Sequence, residues 1–82
     1  MNDLLFDAEL DARQLSCPLP ILRTKKSLAH MTAGQVLRVR ATDKKSPDDF
    51  IAFCAQTGNE LLSSTQQSDE FIFYLRRRAD SI

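Results

Sequence analysis

The chemistry in this chain centres on Cys17, which stands directly before Pro18, Leu19 and Pro20 in the segment 14–28, QLSCPLPILRTKKSL. Proline is favoured at the first helical position, where its missing N–H costs nothing, so a helix is expected from Pro18. Pro20 falls in the same first turn and is tolerated there. Cys17 is then expected at the N-cap, where the helix macrodipole places about half a positive charge. That field favours a thiolate, and cysteines in such sites have pKa values lowered from ~8.5 into the range ~3.5–7.5. The prolines remove two first-turn N–H groups and leave those of Leu19 and Ile21 to face the sulfur. A phosphate needs several convergent N–H groups, so the site suits one sulfur atom on a stiff turn better than an anion.

The remaining reactive residues narrow the sulfur chemistry. A cysteine hydrolase requires a histidine base. The single histidine, His30, lies about 18–20 Å down the same helix at 1.5 Å per residue. A redox pair would place a second cysteine two residues further on, where Leu19 and Pro20 stand. Cys17, His30 and Cys54 match no zinc-ligand spacing, so no metal is expected. What remains is a thiolate that is loaded by the activated sulfur of a partner protein. Read from residue types alone, a second account stays open, in which Cys17 is an incidental loop residue. Cys54, between Phe53 and Ala55, reads as core packing more than as a resolving thiol, because free cysteine is among the most buried residue types.

These residues must be positioned by a small set of elements. Residues 4–11, LLFDAELD, alternate so that Leu4, Phe6, Ala8 and Leu10 can share one strand face. The helix from Pro18 carries an apolar stripe of Ile21, Thr24, Leu28 and Met31, with Arg23, Lys26 and His30 on the opposite side and Gly34 as its stop signal. Residues 35–42, QVLRVRAT, read as a strand with Leu37, Val39 and Ala41 on one face and Arg38 and Arg40 on the other. Ser46, Pro47 and Asp49 spell a capping box for a second helix, which carries Phe50, Phe53, Cys54 and Thr57 and ends at Gly58. Two further segments, ELLSSTQQ and EFIFYLRRR, form a hairpin that turns at Ser68–Asp69 and lines its inner face with Phe71, Phe73 and Leu75. The expected fold is α+β, a two-layer βαβαββ sandwich. Its four-stranded mixed sheet carries both helices on one face, with the first two strands parallel and the last two antiparallel.

The 82 residues suffice for one small domain spanning 1–82, with a thin core and surface chemistry. Eleven basic residues balance eleven acidic ones, which argues against a dedicated nucleic-acid binder. No apolar run is long enough to span a bilayer, and residues 1–9 lack a basic signal-peptide region. Two cysteines without an export signal suggest a cytoplasmic location with free thiols, although counting alone also permits a Cys17–Cys54 disulfide.

The motif Cys17-Pro18-Leu19-Pro20, preceded by LDARQL, resembles the centre of the TusA/SirA family of sulfur carrier proteins. The resemblance runs from about Leu10 to Arg77 and takes in Gly34, Asp43, Asp49, Phe53-Cys54, Gly58 and the aromatic last strand. It implies a fold like the C-terminal domain of translation initiation factor three. It also implies a sulfurtransferase without a cofactor, in which Cys17 accepts sulfane sulfur as a persulfide, with Pro18, Leu19 and Pro20 as the supporting motif. The implied donors are a cysteine desulfurase or a rhodanese-like protein, and the implied outlets are acceptor proteins of tRNA thiolation, molybdenum-cofactor assembly or related sulfur trafficking. Three positions depart from the family pattern. Gln14 stands where a glycine is common, Leu19 replaces an acid found between the prolines of some carriers, and Lys44 replaces a frequent proline.

Arg23, Lys26 and His30 form the candidate docking stripe for an acidic partner surface. Arg38, Arg40 and the run Arg76-Arg77-Arg78 motivate a different class, a nucleic-acid-binding module. That class lacks the interleaved exposed aromatics of single-strand binders, Tyr74 apart, and direct nucleic-acid binding is not expected. A protein-binding regulatory module without sulfur transfer is the third reading.

Overall fold

The computed structural model describes residues 5–79. Its elements run in the order β1 (Ala8–Ala12), α1 (Leu19–Ala29), β2 (Val36–Ala41), α2 (Ser46–Thr57), β3 (Glu60–Gln67) and β4 (Glu70–Arg76). The four strands form one mixed sheet in the order β1-β2-β4-β3. β1 and β2 are parallel, with Leu10 opposite Val39, and both β2–β4 and β3–β4 are antiparallel. This is the βαβαββ sandwich expected from the periodicities.

The alternation along β2 decides the layers. Leu37, Val39 and Ala41 are buried beside Phe73 and Leu75 of β4, and both helices pack on this face through Leu28, Phe50, Phe53 and Cys54. Phe50 and Phe73 stack with ring centroids 4.3 Å apart. Arg38 and Arg40 point to the other face, which is not bare. Ile72 and Tyr74 are also buried there, with Arg38 donating to Tyr74 and Arg40 forming a two-pronged pair with Glu70 at 3.0 and 2.9 Å.

Three local expectations are corrected. β1 begins at Ala8, where the backbone N–H of the preceding Asp7 donates to Val36 O at 2.8 Å. Phe6 therefore precedes the strand and does not join Ala8 and Leu10 in the core. Its ring lies 6.2 Å from that of Tyr74, with Arg38 over it, on the opposite face. Leu4, assigned to the same strand, lies outside the described residues. The Ser46 capping box does not form. Ser46 is the first residue of α2, its hydroxyl is buried without a hydrogen-bond partner among the described residues, and Lys45 occupies the cap position. Gly34 does not stop α1 either, because the helix ends at Ala29 with His30 as its cap. Gly34 instead takes a positive φ of 86° in the turn before β2. Gly58 caps α2 in the left-handed conformation with φ 82°, as its place after Thr57 suggests.

Candidate functional site

The loop from Arg13 to Pro18 leaves β1 and delivers Cys17 to the start of α1. The helix proper begins at Leu19, with Pro18 as its N-cap and Pro20 buried against the core. Cys17 thus stands one residue outside the helix, not at the N-cap. It is exposed, and its peptide bond to Pro18 is cis. The Leu19 N–H, expected to face the sulfur, donates instead to Ser16 O at 2.8 Å. Leu19 and Leu22, at the start of α1, remain 41% and 54% exposed.

Two long-range bonds hold the loop. The Gln14 N–H donates to Thr42 Oγ1 at 2.8 Å, and the Cys17 N–H donates to Asp43 Oδ2 at 2.5 Å. Both acceptors belong to the short connection between β2 and α2. Gln14 adopts a positive φ of 66°, the backbone conformation a glycine would enter freely. The bond to Thr42 Oγ1 helps hold it there.

The electrostatics around Cys17 overturn the expectation of a lowered pKa. The thiol is pushed up from its ordinary value, first by hydrogen bonding to the Asp49 carboxylate, then by desolvation and by the negative charges of Asp49 and Asp43. Lys45 opposes these effects only in part. The physical reason is tertiary. The dipole of α1 acts from one residue further away than expected, while two carboxylates from α2 and the connection before it stand close by. Asp43 itself is held below the usual carboxylate range by the Lys45 and Cys17 N–H groups that it accepts. Sequence reasoning missed Asp49 as a neighbour of the sulfur. Its signals were a place in a cap that the chain does not form and its inclusion, with Asp43, in the family resemblance, and neither put it beside Cys17.

The other candidates are distributed as follows. Cys54 is buried in the core, and burial pushes its thiol up to about 11. Both cysteines are free. Arg23, Lys26 and His30 are all exposed along α1, with His30 at the end of the helix remote from Cys17. The arginines behind the nucleic-acid reading are largely matched by acids. Arg38 pairs with Glu9, Arg40 with Glu70 and Arg76 with Glu60, while Arg77 bonds Leu28 O at 2.8 Å. Among the described residues, no group of three or more His, Cys, Asp or Glu side chains is placed to hold a metal ion, and no helix is long and apolar enough to cross a membrane.

Comparison with known proteins matches residues 8–77 to the family described as Sulfurtransferase TusA. The sulfur carrier protein TusA of Allochromatium vinosum is 56% identical over 72 residues, covering 88% of this chain and 95% of that protein. The protein of the same description from Pseudomonas entomophila is 39% identical over 80 residues, covering 98% of this chain and all of the relative. Among solved structures, the SirA-like protein of Desulfitobacterium hafniense superposes with a TM-score of 0.77 at 22% identity. That match covers 88% of this chain and 99% of the other, and it carries the fold alone.

Proposed function

This chain belongs to the TusA family, and from that membership we propose that it is a sulfur carrier whose Cys17 accepts sulfane sulfur as a persulfide and relays it to an acceptor protein. The observation that carries the reading is the placement of Cys17. It is an exposed, free thiol on a loop held by long-range bonds, while the second cysteine is sealed in the core. The donor's cysteine persulfide presents an outer sulfur that the Cys17 sulfur attacks. The donor's sulfur–sulfur bond breaks, the new bond forms on Cys17, and the Cys17 proton ends on the departing donor thiolate. One thiol and one persulfide enter, and one of each leaves, so no net oxidant is needed. Attack of an acceptor thiol on the outer sulfur of loaded Cys17 repeats the exchange. A cysteine desulfurase or a rhodanese-like protein is the donor. The acceptor serves tRNA thiolation, molybdenum-cofactor assembly or related sulfur trafficking.

The raised thiol pKa makes the free carrier a protonated, quiet thiol at neutral pH, because only the thiolate attacks. Partner docking that covers Asp49 and Asp43, or sets a cation beside them, would favour the thiolate at the moment of transfer. Leu19 and Leu22 supply the apolar part of that docking surface, and Arg23, Lys26 and His30 its basic flank. Intact mass after incubation with a cysteine desulfurase and cysteine tests the reading. A species one sulfur atom heavier is expected, lost on reduction, absent in Cys17→Ser and retained in Cys54→Ser. Loading that follows Cys54, or no loading from any sulfane donor, would refute it.

A further inference from the structure

Resting on the carrier reading of Cys17, we propose that Asp43 is the positioning residue of the sulfur-bearing loop, its carboxylate holding the Cys17 backbone and so fixing where the thiol is presented before α1. Three bonds converge on this one residue. Asp43 Oδ2 accepts the Cys17 N–H at 2.5 Å, Oδ1 accepts the Lys45 N–H at 2.9 Å, and the Asp43 carbonyl accepts the Ser46 N–H at 3.0 Å. Two segments 26 residues apart are thereby joined through one carboxylate. Hydrogen bonds to an ionised acceptor are about twice as strong as neutral ones. The two backbone N–H groups keep Asp43 ionised, so the clamp persists through the neutral range.

Closer in sequence, the Leu19 N–H closes a turn across Cys17 by donating to Ser16 O at 2.8 Å, but that bond leaves the Cys17 N–H itself to Asp43. Pro18 makes no side-chain cap bond, and within the loop the Leu15 N–H reaches Ala12 O only at 3.4 Å. Thr42 anchors the loop at Gln14, three residues before the sulfur, and Asp43 anchors it at the sulfur-bearing residue. The charged groups that face the thiol are Asp49, Asp43 and Lys45. Asp43 acts on it both as a charge and through the backbone, and these two actions can be separated.

Asparagine has one acceptor oxygen where Asp43 uses two, so Asp43→Asn cannot keep both the Lys45 turn and the Cys17 clamp. The measurement is the pH midpoint of Cys17 alkylation in a Cys54→Ser background, for Asp49→Asn with and without Asp43→Asn. If Asp43 presents the thiol, Asp49→Asn lowers the midpoint strongly alone and by less than about half as much beside Asp43→Asn. An equal lowering in both backgrounds would reduce Asp43 to a through-space charge and overturn the proposal. Asp43→Ser gives a second background should Asp43→Asn fold poorly, because serine can support the turn at Lys45 but is too short to bridge to Cys17. Persulfide loading by a cysteine desulfurase should also slow about tenfold in Asp43→Asn, since misplacing a reacting atom by an ångström is costly. Loading at the wild-type rate would overturn the positioning role. If the wild-type protein takes up no sulfur, the carrier reading fails, while the alkylation cycle still decides whether the clamp exists.

Discussion

Cys17 and its neighbours set the pH behaviour of the site. Asp49 and Asp43 raise the Cys17 pKa, which means that the protonated thiol is the favoured form and that reactivity must rise with pH through and beyond the ordinary thiol value of ~8.5. Removing the largest cause should reverse this. Asp49→Asn is expected to move the alkylation midpoint of Cys17 to lower pH, and an unchanged or higher midpoint would show that Asp49 does not act on the thiol. Cys54 should remain almost unlabelled under the same conditions, because it is buried and its thiol lies at about 11. Gln14 carries a separate consequence. A non-glycine residue at φ 66° is strained by roughly 1–2 kcal/mol. Glycine relieves that strain but adds entropy to the unfolded chain worth about 0.4–1 kcal/mol. Gln14→Gly should thus stabilise the fold by about 0.5–1 kcal/mol in urea unfolding.

At the scale of elements, α1 buries one face and exposes the other. Pro20, Thr24 and Leu28 recur on its buried face, while Leu22, Arg23 and Lys26 face outward. Ile21 and Met31, expected in the same stripe, are only half-buried at its margin. Thr24 is fully buried, yet its hydroxyl has no hydrogen-bond partner among the described residues. An unpaired buried hydroxyl costs about 1–3 kcal/mol, so the isosteric change Thr24→Val should stabilise the protein by about 1 kcal/mol and leave sulfur loading unchanged. A loss of stability would reveal a partner for that hydroxyl. α2 is closed by Gly58 in the left-handed region, where, among the described residues, a Cβ would meet only the Arg78 Cδ at 3.5 Å. Space is therefore not the obstacle to Gly58→Ala. The backbone is, and the expected loss is about 1 kcal/mol.

For the molecule as a whole, the core is thin and the charge is internally balanced. A chain of 82 residues has a folding stability of roughly 4–12 kcal/mol. Phe50 is fully buried and stacked on Phe73, and truncation of such a side chain costs about 3–5 kcal/mol. Phe50→Ala should therefore remove a large share of that stability, read as a marked fall of the urea midpoint. The pairing of Arg38, Arg40 and Arg76 with Glu9, Glu70 and Glu60 leaves the sheet face without a coherent positive field. Binding to single-stranded RNA or tRNA at physiological salt should be negligible. Tight binding that weakens steeply with added salt would return the nucleic-acid reading.

Periodicity within the sequence determined the elements and their layers. Alternation at Leu37, Val39 and Ala41 named the core face of β2, and three- and four-residue spacing named the buried side of both helices, because side-chain direction repeats with the backbone. The Cys17-Pro18-Leu19-Pro20 motif marked Cys17 as the candidate for sulfur chemistry, since its types and order are local facts. Tertiary structure alone decided what surrounds the sulfur. Asp43 and Asp49 are 26 and 32 residues away from Cys17 in the chain, and only the parallel pairing of β1 with β2 brings the loops that follow those strands side by side. The same cause reversed the expected pKa. A helix dipole can be read from a local pattern, but the charge of a neighbouring element depends on where the sheet has carried it.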